Sequence, residues 1–296
     1  MVHIILDSRE AKNAIQPSAN KLRPGSLNFC GWLCENINML KTLIRKFFGA
    51  DNNLAVGNAQ IPDDQRVYAI GDIHGRLDLL QQLLDLITDD ANGLDNYIRK
   101  SIVYLGDYID RGFQSREVID FLLDRPLEGF DSHYLKGNHE DQLLDFMDDP
   151  RAGESWMRYG GDATLYSYGI QLPEGRSSEE KLELIQSKFK DAFPARHLKF
   201  ISNLKLACNF GDYMFVHAGV NPFEPLSEQK AADLLWIRDD FLDCDSNFGK
   251  VIVHGHSIFD TPIVRENRIG IDTGAYASNK LTCVVLEGSE YRFLST

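Results

Sequence analysis

Arg66-Val-Tyr-Ala-Ile-Gly-Asp-Ile-His-Gly75 is the stretch of sequence that decides the fold. Its short apolar run at 66–70 ends in Gly-Asp, which is typical of a buried strand followed by a tight turn. Leucine and isoleucine then recur at helical spacing over 77–87. The stretch therefore predicts a strand, a turn that carries Asp72 and His74, and a helix.

The same pattern occurs twice more along the chain. Ser101–Leu105 is a second apolar run that ends in Gly-Asp, and His133–Leu135 is a third that ends in Gly-Asn-His-Glu. Helical patterns cover Ser115–Leu123 and the region from the third turn to about Met147. This β-α-β-α-β alternation predicts an α/β sheet with polar residues at the carboxyl ends of its strands, where sites in such sheets lie.

The pattern changes after residue 150. Residues 150–200 carry several aromatic residues and a charged helix around Glu179–Phe189, and we interpret them as a helical cap insertion beside the active cleft. From Leu204 the chain turns to strands, which we expect to form a second, mostly antiparallel sheet. These strands are predicted at 204–209, 213–217, 250–254, 262–265, 268–272, 281–286 and 291–294.

Residues 1–60 differ from the rest of the chain, because they are rich in Asn, Ala, Ser and Gly and show weak periodicity. We predict a poorly structured N-terminal extension, followed by one domain at 61–296. Within the extension, residues 39–48 form a short basic amphipathic stretch. A surface helix is the interpretation that we favour, and weak peripheral membrane contact is the alternative. Met39 is a candidate natural start, because the residues before it show no fold signal.

The composition argues against several classes of protein. The 296 residues carry a net charge of −13, whereas a general nucleic-acid binder presents a basic face. Phosphorylated substrates stay compatible with this charge, because bound metal ions can reverse the field locally. The five cysteines are scattered, which favours reduced thiols and a cytoplasmic location and disfavours a structural zinc site. We find neither an 18-residue apolar run nor a secretory signal.

Six polar segments, each at the end of an apolar run, carry the side chains that divalent metals prefer. Three are the turns described above, and the others are Val-His-Ala-Gly (216–219), Trp-Ile-Arg (236–238) and His-Gly-His-Ser (254–257). Carboxylate oxygens and imidazole nitrogens are ligands for hard and borderline divalent metals. The candidate metal ligands are Asp72, His74, Asp107, Asn138, His217 and His256. Two metals that share Asp107 would activate a water for phosphate-ester hydrolysis.

Each segment alone also has an ordinary structural explanation. A Gly-Asp turn after a strand is usually only a turn, and a lone His on an apolar strand is more often a core residue. The recurrence of six such segments in one chain favours a functional site. His254 is either a ligand or a partner that orients one. We interpret Asp272 as a hydrogen-bond acceptor, and His133 and His197 as structural or surface residues.

Together the motifs resemble the signature of the PPP-type (phosphoprotein phosphatase) branch of the binuclear calcineurin-like metallophosphoesterases, bacterial and phage type. The resemblance runs from about Arg66 to the C-terminus and rests on Gly-Asp-x-His-Gly, Gly-Asp-x-x-Asp-Arg-Gly, Gly-Asn-His-Glu and the two later His motifs. It implies an α/β (α+β) sandwich of two mixed sheets packed face to face, with flanking helices. The chain departs from the pattern at Lys136, where many members carry Arg, and after His256, where the usual Thr-Pro is missing.

The resemblance also implies roles for the motif residues. The first metal would be held by Asp72, His74 and Asp107, and the second by Asp107, Asn138, His217 and His256. We expect Mn²⁺ in both sites, with Fe or Zn as alternatives. His139 would be the general acid, and a hydrogen bond to Asp110 would raise its pKa. Arg111 and Arg238 would clamp the phosphate, with Asn138 as a further substrate contact.

Two substrate classes compete under this resemblance. Symmetrical diadenosine tetraphosphatases tend to replace the Asp of the second motif by Ala and to end the third motif with Asp, whereas this chain has Asp110 and Glu140. We therefore predict a serine/threonine-type phosphoprotein phosphatase, with symmetrical bis(5′-nucleosyl)-tetraphosphatase activity, or a broader range of small phosphoesters, as the alternative. We expect one-step attack by metal-bound hydroxide, because no Cys or Ser occupies a nucleophile position. A non-catalytic metal-binding scaffold is disfavoured, since no ligand, acid or Arg is missing.

Overall fold

Two five-stranded sheets form the centre of the fold, and helices flank them. The computed structural model describes residues 54–95, 97–172 and 178–296. The basic stretch 39–48 and the candidate start at Met39 lie outside the described residues.

The strands of the described residues are β1 (Gln65–Ile70), β2 (Arg99–Tyr104), β3 (Phe130–Tyr134), β4 (Ala207–Phe210), β5 (Tyr213–Val216), β6 (Val251–His254), β7 (Ile263–Val264), β8 (Arg268–Gly270), β9 (Thr282–Glu287) and β10 (Glu290–Ser295). The helices are α1 (Leu77–Ala91), α2 (Ser115–Asp124), α3 (Asn138–Asp148), α4 (Gly153–Trp156), α5 (Asp162–Ser167), α6 (Glu179–Ala192), α7 (Ala195–Ser202), α8 (Ala231–Trp236), α9 (Asp239–Leu242) and α10 (Ala275–Ser278). A π-helical turn at Met157–Gly161 joins α4 to α5.

The first sheet has the strand order β10-β9-β1-β2-β3. Its strands β1, β2 and β3 are parallel, as the β-α-β-α-β alternation predicts. The prediction that the last two strands belong to the second sheet is wrong, because β9 pairs antiparallel with β1 and β10 pairs with β9. Since β1 is central and buried, both of its edges need hydrogen-bond partners. The C-terminal hairpin supplies the second partner, which no local pattern reveals.

The second sheet has the order β4-β5-β6-β8-β7. It is mixed rather than mostly antiparallel, because β5 pairs parallel with β6 and β6 pairs parallel with β8. Only the outer pairs, β4 with β5 and β7 with β8, are antiparallel among the strands described for this sheet. The parallel pairs matter for the site, since they bring the carboxyl ends of β5 and β6 to one edge.

The two sheets share a core to which β1 contributes every second residue. Val67 and Ala69 pack between the sheets with residues of β5 and β6, while Tyr68 and Ile70 pack against the helices of the first sheet. This alternation follows from the two-residue period of a strand. A strand buried on both faces reads as a continuous apolar run, which explains the character of the 66–70 segment.

The chain ahead of β1 is part of the packed structure from the first described residues. Val56, Ala59 and Ile61 are buried in the core between the sheets, and the backbone N–H of Val56 donates to the carbonyl oxygen of Glu266 (2.9 Å). The packed region therefore includes residues that the sequence analysis placed in the extension. None of the described helices has the length and apolar character that crossing a membrane requires.

Candidate active site

The candidate ligands lie just beyond the carboxyl ends of strands from both sheets. Asp72 and His74 follow β1, Asp107 follows β2, and Asn138 opens α3 just after β3. From the second sheet, His217 follows β5 and His256 follows β6. All six side chains are buried. The structure thus places residues that are up to 184 positions apart at one edge of the sandwich.

Five motif residues hold a left-handed backbone conformation, which is uncommon for residues other than glycine. They are His74 (φ 47°), Asp107 (φ 51°), Asp110 (φ 72°), Arg111 (φ 65°) and His256 (φ 61°). Within the described part of the chain, Asn279 is the only other such residue. Conformations of this kind cost about 1–3 kcal/mol each and persist where the surrounding structure enforces them. Their concentration here marks these turns as the strained part of the fold.

Asp107 stands between two groups of imidazole rings. Its Oδ2 lies 3.4 Å from His74 Nε2 and 3.8 Å from His139 Nε2, while its Oδ1 lies 3.5 Å from His217 Nε2. The groups able to hold a metal are His74 with Asp107 and His139, and Asp107 with His217 and His256. The two oxygens of one carboxylate therefore face two different donor groups, which is what a shared ligand between two ions requires.

The protonation states of the histidines also fit cation binding. His217 Nδ1 lies 2.9 Å from the carbonyl oxygen of Leu105, so the ring proton sits on Nδ1 and the lone pair on Nε2. That lone pair points at Asn138 Oδ1, 2.9 Å away, and His256 Nδ1 lies 2.8 Å from the same oxygen. Burial lowers the pKa of His217, which keeps the ring neutral. Two acceptors that face each other at this distance are satisfied by a cation placed against both.

His74 shows the same arrangement on the other side of Asp107. Its Nδ1 lies 2.8 Å from the carbonyl oxygen of Ile109, and its Nε2 is buried without a hydrogen-bond partner. Burial lowers the pKa of His74 well below its usual range, so Nε2 carries a free lone pair. An unpartnered buried acceptor is costly unless something binds it. The donor set therefore fits two divalent ions with nitrogen and oxygen ligands.

Asp72 is a member of neither tight group of the described residues, although it lies beside them. Its carboxylate accepts the backbone N–H of His256 at 3.0 Å. Burial, together with the nearby Asp272 and Asp107 carboxylates, raises the pKa of Asp72 well above its usual range. Gly255 packs so closely that a Cβ there would lie 2.1 Å from Asp72 Oδ1. This contact explains why glycine stands between the two histidines of the last motif.

His139 and Asp110 form a buried pair next to these ligands. His139 Nδ1 lies 2.6 Å from Asp110 Oδ2, and the His139 ring packs edge-on against His74. Burial lowers the pKa of His139, but the Asp107 charge and the hydrogen bond to Asp110 outweigh it, so the net shift is upward. The arrangement leaves Nε2 as the proton-bearing atom on the side of Asp107.

Arg111 and Arg238 each lie near part of the ligand set. The charge of Arg111 acts on His74 and His139, whereas that of Arg238 acts on His217 and His256. Arg238 also borders an open cleft of about 470 Å³. The cleft is lined by Asn221, Ala232, Asp233, Trp236, Ile237, Arg238, Asp239 and Asp240. Two guanidinium groups near a set of ligands for two metal ions can both donate hydrogen bonds to one phosphate group.

Comparison with known proteins decides which family has this arrangement. A family model described as calcineurin-like phosphoesterase matches residues 65–285. The chain belongs to this family. The resemblance inferred from the motifs is therefore confirmed, and this calcineurin-like phosphoesterase is a hydrolase of phosphoesters.

Relatives of this phosphoesterase have two different activities in their names. The chain is 28% identical over 247 residues to a bis(5′-nucleosyl)-tetraphosphatase PrpE [asymmetrical] of Oceanobacillus iheyensis, covering 76% of this chain and 90% of the relative. It is also 28% identical over 228 residues to serine/threonine-protein phosphatase 2 of Escherichia coli (strain K12), covering 74% and 91%. The PrpE relative is named an asymmetrical tetraphosphatase, whereas the sequence analysis considered the symmetrical type.

The fold of this phosphoesterase is also found among solved structures. A crystal structure provisionally described as a diadenosine tetraphosphatase superposes with a TM-score of 0.55 at 17% identity, covering 80% of this chain and 98% of that chain. At this identity the likeness concerns the fold alone. It confirms the two mixed sheets with flanking helices.

Sequence reasoning missed the groups that hold Asp110 in this phosphoesterase. Trp156 Nε1 donates to Asp110 Oδ2 at 2.8 Å, and Thr164 Oγ1 donates to Asp110 Oδ1 at 2.6 Å. Both residues come from the helical region after 150, so this region contributes to the site. No local signal in the sequence names them, because the need for further donors arises only once the Asp110 carboxylate is buried.

Glu140 was missed as a structural anchor. Its carboxylate accepts the backbone N–H groups of Gly137 (2.9 Å), Asp107 (2.9 Å) and Tyr108 (2.8 Å). It therefore ties the second motif to the third and fixes the backbone on which Asp107 sits. The sequence signal for this role is a Glu at the third helical position. The side chain of such a Glu accepts the backbone N–H of the N-cap residue, which is one of the two hydrogen bonds of a capping box.

The residues that the sequence analysis set aside or left open are now placed. His254 is buried with its ring packed edge-on against Phe241, and it belongs to neither ligand group of the described residues. Asp272 Oδ1 accepts the backbone N–H of Gly274 at 2.8 Å. His133 is half-buried and packs against an aromatic ring, and His197 hydrogen-bonds to two side chains away from the site.

Proposed function

We propose that this protein is a serine/threonine-type phosphoprotein phosphatase that hydrolyses phosphomonoesters with two divalent metal ions. The observation that carries the proposal is the His139–Asp110 pair, which stands beside a carboxylate shared between two donor groups. A shared carboxylate suits two ions, and an imidazole held by a carboxylate suits proton transfer to a leaving oxygen.

The proposed ligand sets are those that the family resemblance implies. Asp72, His74 and Asp107 hold the first ion, and Asp107, Asn138, His217 and His256 hold the second. Bound ions supply Lewis acidity and an activated water at neutral pH. Mn²⁺ is our choice of metal, with Fe or Zn as alternatives that the ligand types also accept.

The protein's own side chains bind the substrate and move the proton. Arg111 and Arg238 hold two phosphate oxygens from opposite sides, and the Asn138 amide contacts the phosphate between them. This clamp fixes the leaving oxygen toward His139. The imidazole then donates its Nε2 proton to that oxygen, and the Asp110 carboxylate stabilises the charged ring before the transfer.

Phosphoproteins are the proposed substrates because Asp110 and Glu140 match the protein-phosphatase form of the motifs. The named phosphatase of Escherichia coli supports this choice. Hydrolysis of bis(5′-nucleosyl)-tetraphosphates is the second candidate, which the relatives named PrpE favour. A cytoplasmic location is part of the proposal, and its support is that Cys208, Cys244 and Cys283 form no disulfide within the described residues.

Parallel turnover assays test the substrate class. The purified, Mn²⁺-loaded protein is assayed on a phosphoserine and phosphothreonine peptide mixture and on diadenosine tetraphosphate, and kcat/KM is compared. We expect the peptides to be preferred. A preference for the dinucleotide would overturn the phosphoprotein assignment, and the products would then distinguish symmetrical cleavage (ADP alone) from asymmetrical cleavage (ATP and AMP).

A further inference from the structure

The side chain of Arg111 has an aromatic partner that no motif predicts. Its guanidinium carbon lies 4.7 Å from the centre of the Tyr276 ring. Across the described residues, no hydrogen bond or ion pair from this guanidinium to the protein is found. The same tyrosine ring lies edge-on to His74, with ring centres 5.5 Å apart. Tyr276 therefore borders the site and packs against the Arg111 head group.

Tyr276 is itself held in place by a short, firmly anchored segment. It lies in α10, which is preceded by Gly274 (φ 66°) and followed by Asn279 (φ 59°), both left-handed. Arg76 Nη1 donates to the carbonyl oxygen of Ala275 (2.9 Å) and to Asn279 Oδ1 (2.7 Å). Because Arg76 comes directly after the first motif, α10 is tied to the same turn that carries His74.

The cation–π contact with Tyr276 suits a guanidinium that must bind phosphate. A guanidinium has five N–H donors along its edge and a flat face that packs on aromatic rings. The contact with the Tyr276 ring involves no hydrogen-bond acceptor, so it leaves the N–H donors of Arg111 unused. An ion pair with a carboxylate would hold the head group as firmly but would consume the same donors that a bidentate phosphate contact needs.

We propose that Tyr276 is a positioning residue for phosphate recognition, which acts by holding the Arg111 guanidinium with its N–H edge free. The proposal rests on the proposed function, in which Arg111 binds the phosphate. Tyr276 touches Arg111 rather than the reacting atoms, so its effect passes through that arginine. It follows that the aromatic ring matters and the phenolic hydroxyl does not.

A four-variant comparison tests this assignment: Tyr276→Leu, Tyr276→Phe, Arg111→Ala and the double variant Arg111→Ala/Tyr276→Leu. Each Mn²⁺-loaded protein is assayed for kcat and KM on p-nitrophenyl phosphate and for the inhibition constant of inorganic phosphate. We expect Tyr276→Leu to raise KM and the phosphate inhibition constant about 5- to 10-fold. We expect Tyr276→Phe to stay within about twofold of the wild type, because the stack is kept.

The double variant separates positioning from general packing. If Tyr276 acts through Arg111, Tyr276→Leu changes nothing further once Arg111 is alanine. An equal effect of Tyr276→Leu in both backgrounds would overturn the positioning role while the phosphatase assignment stands. The role would also be overturned if Tyr276→Leu lost bound Mn²⁺ by elemental analysis, because the effect would then run through His74. If Arg111→Ala leaves phosphate inhibition unchanged, the proposed function of Arg111 fails, and the positioning proposal fails with it.

Discussion

Replacing Gly255 with alanine tests whether close packing against Asp72 shapes the metal centre. A Cβ at residue 255 would lie 2.1 Å from Asp72 Oδ1. Since carbon and oxygen atoms settle at about 3.5 Å, the carboxylate or the turn must shift by about 1.4 Å. The turn also carries His256, whose backbone N–H binds the same carboxylate. The strain therefore falls on one proposed ligand of each ion.

A shift of about 1 Å in a catalytic site lowers turnover by about 100-fold. We expect Gly255→Ala to lose at least that much kcat/KM on p-nitrophenyl phosphate and to bind fewer than two metal equivalents by elemental analysis. The metal-dependent rise in melting temperature should shrink as well, because ligand binding stabilises only the state that binds.

Gly57→Ala is the matched control for this experiment. A Cβ at residue 57 would have no heavy atom within 4 Å, so the same substitution adds a methyl group into open space. Its activity and metal content should equal those of the wild type. If Gly255→Ala kept two metal equivalents and more than half of the wild-type turnover, the close approach to Asp72 would have no functional consequence, and our interpretation of this turn would be refuted.

Three further predictions concern the groups around the site and the packing beyond it. His139→Gln should lower kcat by about 100-fold or more on phosphoserine peptides but much less on p-nitrophenyl phosphate, whose leaving group needs no proton; equal losses on both substrates would argue against an acid role. Trp156→Phe removes one N–H donor from the buried Asp110 carboxylate and should lower the free energy of unfolding by about 1–3 kcal/mol in urea titrations, together with a several-fold loss of kcat. Burial lowers the pKa of His197 in the folded state. Asp120 partly opposes this shift, whereas the positive charges of Arg196 and Arg116 add to it. The unfolded state therefore takes up a proton more readily than the folded state. This contribution to stability is complete above the ordinary pKa of about 6.5 and declines as the pH falls below it, and His197→Gln should therefore flatten the decline in unfolding free energy between pH 7 and pH 5.

The sequence alone predicted the parallel half of the first sheet and the set of candidate site residues. Each motif follows an apolar run within a few positions, and both the strand and the turn are set by neighbouring residues. The Gly-Asp pair after each of the 66–70 and 101–105 runs marks the end of a strand, whichever strands are its neighbours in the sheet. The candidate ligands could therefore be named before any contact between them was known.

Only the tertiary structure decided which strands are neighbours. The 281–286 and 291–294 runs were recognised as strands from their own residues. The place of β9 beside β1, and with it that of β10 at the edge, depends on pairing across more than 200 residues. The local sequence pattern does not identify the strand that pairs with β1, because any apolar strand can form hydrogen bonds with the same edge of β1. For the same reason the second sheet was expected to be mostly antiparallel and is mixed.

The same division holds within the site. The sequence named His139, Asp110 and Arg111 through the motifs that carry the family resemblance. It did not name Trp156 or Tyr276, which reach those residues from distant segments and carry no motif of their own. A buried carboxylate needs hydrogen-bond donors, and a guanidinium packs well against an aromatic ring. These two needs explain why such partners are found there. These requirements arise only once the chain has folded, so the candidate site residues were readable in the sequence and the groups that hold them were not.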